Sequence, residues 1–186
     1  MSQLSEGNAM PAIRDRAAEL RQAFDRTFAL PPPQAAQEPE DLLAISIAGD
    51  PYAIRVPEIV GIVAGRTVIS VPAAASHLLG LAGIRGQIVP VFGLASILGY
   101  GLASDSPRWV ILCAGEEAIA LAFADFEGYL RLPKSSLYAE ENHGNTRRHV
   151  SHLASTPAGV RAVLSVPLVL ADIQNQVGRQ RSVKEQ

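Results

Sequence analysis

"LLGLAGIRGQIVPVFGL", residues 78–94, carries one charged side chain in seventeen positions, Arg85, set between Gly83 and Gly86. No acid, thiol or histidine shares the stretch. Glycine adopts positive φ at little steric cost, so "GIRG" reads as a tight turn. The β-branched run "QIVPVF" that follows reads as a strand. Such a turn lets Arg85 project outward while its apolar neighbours pack inward. A guanidinium placed there offers five donors in a fixed fork. It serves either a partner's carbonyls and carboxylates or an acid of its own domain that pins the turn.

Period-two patterning extends on both sides of this hairpin. "LLAISIAG" (42–49), "YAIRV" (52–56), "IVGIV" (59–63) and "TVISV" (67–71) are short, β-branched and punctuated by glycine or proline. After the looser "SILGYGLASDSPR" the pattern resumes in "RWVILCA", "AIALAFA" and "EGYLRLP", the first two joined by a turn at "GEE". "RAVLSV" is a late strand. "PLVLADIQNQVGRQ" then starts a helix on its proline, with Leu168, Leu170, Ile173 and Val177 as its apolar face. Nine or ten short strands with few helices fit two small antiparallel barrels, because parallel strands need crossover helices for which the chain has no room.

Ahead of this body, Ile13, Ala17, Leu20, Phe24 and Phe28 mark one stripe of an amphipathic helix over 12–29. The expected organisation is a tail and helix over 1–30, a Pro-rich linker over 31–41, the main domain over 42–178 and a polar tail over 179–186. The chain has 186 residues, 48% hydrophobic and 18% charged, with a net charge of −2. That composition builds a folded core and lacks the basic surplus with which proteins grip nucleic acid or anionic membranes. The first residues have no uninterrupted apolar core of a secretory signal, and no apolar run reaches the roughly 18–20 residues of a spanning helix. With a single cysteine, Cys113, the expectation is a cytoplasmic protein without an internal disulfide.

Enzymatic patterns are missing. His149 and His152 fall in the polar run "ENHGNTRRHVSH", read as a solvated loop, with no partner at a metal-ligand spacing. There is no strained G-x-S-x-G turn and no Walker loop. Cys113 lies inside "WVILCA", where a buried, inert thiol is expected. "GIRG" also matches the G-x-x-G loop of a nucleic-acid-binding KH module, but that loop joins two helices and here a strand follows. No cofactor, metal or catalytic residue is expected, and the remaining function is a surface for another protein.

The same residues carry a resemblance. "LLGLAGIRGQIVPVFGL" resembles the central signature of the CheW family of chemotaxis adaptors, in which a glycine, apolar residues, an N-L-R-G turn and a P-V-I-D-L strand follow in order. "ISIAGDPYAIRVPEIVGIV" is similar to the family's opening hairpin, "WVILCAGEEAIALAFAD" to its second pair of strands and "RAVLSVPLVLADI" to its closing strand and helix, together covering about 42–175. The resemblance implies a mainly β fold of two five-stranded SH3-like barrels with an apolar groove between them and a closing C-terminal helix; the N-terminal helix over 12–29 extends beyond the minimal adaptor. It implies a non-enzymatic adaptor that joins a CheA-type histidine kinase, through its regulatory domain, to the cytoplasmic tip of chemoreceptors, meeting the membrane only through those receptors. Arg85 matches the family's arginine at the receptor-facing turn, and Gly80 and Gly86 match its glycines. Ile54, Val56, Ile59 and Ile62 match apolar positions that form or support the groove.

Gly61, Gly83 and Gly93 stand where the family usually has glutamate, asparagine and aspartate, and loss of the two acids is expected to alter contact with a basic partner surface. Two alternatives follow: a divergent member that binds only one of the two partners as a connector or brake, and, from another class, a small-barrel nucleic-acid-binding protein.

Overall fold

The computed structural model describes residues 38–72, 77–100, 107–140 and 148–184. The expected helix over 12–29 and residues 31–37 of the expected linker over 31–41 lie outside the described residues, while its residues 39–41 belong to the first strand. In chain order the strands are β1 (Pro39–Ile47), β2 (Asp50–Arg55), β3 (Ile59–Ala64), β4 (Leu78–Ile84), β5 (Gln87–Gly93), β6 (Trp109–Cys113), β7 (Ala120–Phe123), β8 (Asp125–Pro133), β9 (Leu137–Ala139), β10 (Val150–Thr156) and β11 (Gly159–Leu164). Two α-helices accompany them, α1 (Leu94–Ile97) and α2 (Val166–Lys184). None of the described helices is long and apolar enough to cross a membrane.

The strands form a six-stranded sheet in the order β8-β1-β2-β11-β10-β9 and a five-stranded sheet in the order β3-β6-β7-β5-β4. The hairpins β1–β2, β4–β5, β6–β7 and β10–β11 are antiparallel, as are the pairs β9–β10, β1–β8 and β3–β6, whereas β2 with β11 and β5 with β7 are parallel. Mainly β structure in two sheets agrees with the expected fold class.

Alternation along the strands divides the apolar residues among three cores. On β6 and β7, Val110, Ala120 and Ala122 pack into a cluster within the five-stranded sheet, with Ala82, Ile84, Val89 and Val91. Their neighbours Ile111, Cys113, Leu121 and Phe123 face the other way, into a larger cluster that also holds Ile45, Ile54 and Leu164 of the six-stranded sheet. Leu42, Ala53, Leu132, Ala154 and Val163 make the third core, within the six-stranded sheet. Side chains two apart share a face, so a strand buried on both sides must be apolar throughout. That is why "WVILC" and "ALAF" read as continuous apolar runs. The centre of the layer between the sheets is accordingly solid: Ile54, Ile111 and Leu121 are 0% exposed.

Helix α2 closes one side of that layer. Ser165 precedes it, Pro167 occupies its first turn, and the Val166 N–H donates to Glu58 Oε2 at 2.7 Å. A carboxylate there satisfies an orphan donor and favours the positive end of the helix dipole. The buried stripe is Val166, Val169 and Ile173, with Leu170 and Val177 packed beside it. Leu168, expected on this face, is instead 44% exposed, because a stripe through 166, 169 and 173 places 168 on the outer side. The helix also continues to Lys184, into the expected polar tail.

Two further expectations change. "TVISV" is not a strand: Ile69 alone bridges Leu81 of β4. The run "RRHVSH" does not end in a solvated loop, since Val150 begins β10 and His149 is 3% exposed. Its polar sequence concealed a strand whose inward positions are Val150 and Ala154.

The shared layer carries the fold's stability. Leu121→Ala is expected to cost about 2–5 kcal/mol in urea unfolding, as for other fully buried leucines. Ile88→Ala, at a position 79% exposed, should stay within about 0.5 kcal/mol of the parent.

Candidate functional site

The β4–β5 hairpin turns on two residues, Arg85 at φ 51° and Gly86 at φ 79°, with Ile84 paired to Gln87. Positive φ at both positions is the signature of the type I′ turn that matches strand twist. The left-handed residues are therefore Arg85 and Gly86, whereas Gly83 is an ordinary exposed strand residue. Arg85 occupies a conformation that costs a non-glycine residue roughly 1–2 kcal/mol, a position usually given to asparagine, aspartate or glycine.

Its side chain is exposed and leans across the barrel to β3, at the far edge of the same sheet. Nη2 donates to the Val60 carbonyl oxygen at 3.4 Å, a long contact. A Cβ at residue 61 would stand 2.9 Å from the same nitrogen, so the guanidinium lies over the bare backbone of Gly61. None of the ion pairs among the described residues includes Arg85. Exposed apolar residues adjoin it: Val60 on β3, 48% exposed, and Ile88 at the start of β5, 79% exposed. The sequence reading passed over both. For Ile88 the alternation Ile88–Val89 was a usable signal, since only one of two adjacent residues on a strand can face the interior.

The other predicted positions distribute in depth. Ile59 and Ile62 on β3 are half-buried at the margin of the shared core, and Val56 is half-buried in the 3₁₀ turn Val56–Glu58. Ile54 lies wholly within that core. Gly80 is buried at φ 150°, and a Cβ there would meet the Ile69 carbonyl oxygen at 2.1 Å. Glycine at 80 is what allows the backbone of residue 69 to approach β4. Ile54 and Gly80 thus hold up the surface from beneath, and Arg85, Gly86, Ile59, Ile62 and Val56 lie at or near it.

Of the two positions without their expected acids, only Gly61 is next to this surface. Gly93 is buried ahead of α1 and faces Leu79, whose Cδ2 would be 3.3 Å from a Cβ at 93. The absence of an acid at 93 therefore alters no outer face, contrary to the expectation that both losses bear on a partner.

A part-buried polar network lies beside Val56. Arg55 donates to Glu40 at 2.8 Å and Ser151 at 2.9 Å, meets His152 Nδ1 at 2.9 Å and pairs with Glu58 at 3.6 Å. It ties β1, β2 and β10 to the residue that caps α2. Burial, and then the Arg55 charge, pull the pKa of His152 below its ordinary value. His149 is also shifted down, first by burial and then by Arg148, against the pull of Asp172, whose Oδ2 lies 3.3 Å from Nε2 without forming a hydrogen bond. Burial and the nearby Glu58 push the Cys113 thiol up to about 12, so no thiolate nucleophile is available at neutral pH. Among the described residues no cluster of three or more His, Cys, Asp or Glu is disposed to hold a metal ion.

The arrangement brings together half-buried apolar residues on β3, a left-handed turn bearing a cation, and a buried core below. The sequence profile of the CheW-like domain matches residues 41–174. The chain belongs to the CheW-like domain family. The fold agrees: the crystal structure of the scaffolding protein TtCheW from Thermoanaerobacter tengcongensis superposes with a TM-score of 0.62 at 17% identity, over 69% of this chain and 90% of that one. Comparison with curated protein sequences returned no match. As a CheW-like domain protein, the chain belongs to a family of chemotaxis scaffolds and adaptors.

Two outcomes follow for this CheW-like domain. Arg85→Asn relieves the left-handed strain, so its unfolding free energy from urea titration should match the parent's or exceed it by up to about 1 kcal/mol. Because His149 and His152 bind protons less readily folded than unfolded, stability should be full above about pH 6.5 and fall as the pH drops from there toward their folded values. His149→Gln should reduce that acid-side slope, as read from urea titrations between pH 7 and pH 5.

Proposed function

We propose that the protein is a cytoplasmic, non-enzymatic chemosensory adaptor that couples a CheA-type histidine kinase to the cytoplasmic tip of chemoreceptors in signalling arrays. The observation that carries the reading is Arg85, held in a strained turn beside exposed apolar residues inside a CheW-like domain. Strain in a residue that ordinary turn chemistry would replace points to a retained function. Arg85 orients the receptor, Ile59, Ile62 and Val56 supply apolar contact, and Gly86 permits the turn. Ile54 and Gly80 keep the platform rigid from below. Moderate interfaces of this kind draw most of their energy from a few central residues, with arginine among the commonest.

Co-sedimentation with receptor-containing membranes and kinase tests the proposal. The parent should sediment with both, and Arg85→Glu should lose receptor association with a nearly unchanged thermal melt. Association with neither partner, or loss of folding with residual binding intact, would contradict it. Association with one partner alone would favour the connector or brake reading that the substitution at Gly61 motivates.

A further inference from the structure

We propose that Gly61 makes Arg85 an open anion site, and that the receptor segment docking here brings its own carboxylate, flanked by apolar side chains, to fill it. The inference rests on the adaptor reading above and specifies the chemistry of the partner at that surface.

The argument begins with what surrounds the guanidinium. Arg85 has five N–H donors, and the one acceptor recorded for it is the Val60 carbonyl at 3.4 Å. No carboxylate of a described residue pairs with it. The position from which a side chain would reach it is on the page: a Cβ at 61 would stand 2.9 Å from Nη2. Glutamate there would satisfy the guanidinium from within the domain, and glycine leaves it unpaired over open backbone. The neighbours offer nothing ionic in exchange. Val60 and Ile88 are exposed at 48% and 79%, and Gly83, the cross-strand partner of Ile88, presents no side chain to cover it.

A cation without an acid among the described residues, set beside exposed apolar side chains, is complementary to an acidic residue within an apolar segment. An incoming carboxylate can take the guanidinium in the bidentate geometry that arginine favours, while apolar neighbours cover Val60 and Ile88 and exclude water from the pair. A basic or neutral segment would leave the donors of Arg85 buried and unsatisfied, so the site also rejects such partners. Gly61 is thus a specificity-determining position: it transfers the choice of acid from the adaptor to the partner.

Gly61 has ordinary strand φ, and the atom nearest a new Cβ is the mobile end of Arg85, so substitutions at 61 are compatible with folding. The test is calorimetric titration of the purified full chain and its variants with two probes, the cytoplasmic fragment of a chemoreceptor and the regulatory domain of a CheA-type kinase, both encoded in the same genome. For the receptor fragment, Gly61→Glu should bind about tenfold more weakly than Gly61→Gln, since only glutamate neutralises Arg85 and repels the incoming acid. Arg85→Ala should lose about tenfold or more, and the difference between the two Gly61 variants should shrink as salt is raised. If the parent binds the receptor fragment but Gly61→Glu and Gly61→Gln are equal, or Arg85→Ala binds as the parent does, this inference is overturned and the adaptor reading stands. Charge dependence on the kinase side alone overturns the assignment to the receptor. If the parent binds neither probe, the adaptor reading itself fails and this inference with it.

Discussion

Burial of β6 and β7 on both faces is the constraint on which the rest of this structure depends. Each strand has one set of side chains for the interior of its own sheet and another for the layer shared with the second sheet. The shared layer holds the two sheets as one body and supports α2, whose first N–H is satisfied by Glu58 from the turn that links the sheets. With its centre closed to water, function must lie at the margin. That is where half-buried Ile59 and Ile62 meet the β4–β5 turn.

Stability and function pull in different directions at that margin. A two-residue turn with positive φ at both positions would be eased by asparagine at 85, and the β1–β2 turn carries the same left-handed strain at Ala48, followed by Gly49. Arg85 accepts the strain and gains little inside the domain, one long contact with a carbonyl oxygen. With glycine at 61, beneath the guanidinium, no carboxylate among the described residues pairs with it. Both features make sense for a site completed by a second molecule.

Much of this was legible in the sequence because period-two apolar patterning and glycine punctuation are local signals. The hairpin at 84–87, most strands, the proline-started closing helix and the buried Cys113 could all be read from short windows. Features that depend on distant contacts were not. "TVISV" has strand composition, yet finds a partner only at Ile69, and β10 lies behind a polar run in which His152 meets Arg55 and His149 lies beside Asp172. The contrast between Gly61 and Gly93 was equally hidden, since both read as lost acids and only three-dimensional placement puts one beside Arg85 and the other against Leu79.

The most direct test of the central claim, that the face formed by β3 and the β4–β5 turn receives the signalling partner, is amide hydrogen exchange with and without the receptor's cytoplasmic fragment. The account predicts new protection concentrated in residues 59–64 and 84–88, with little change in β8 and β9. Protection confined to β8 and β9, with 59–64 and 84–88 exchanging as in the free protein, would contradict it.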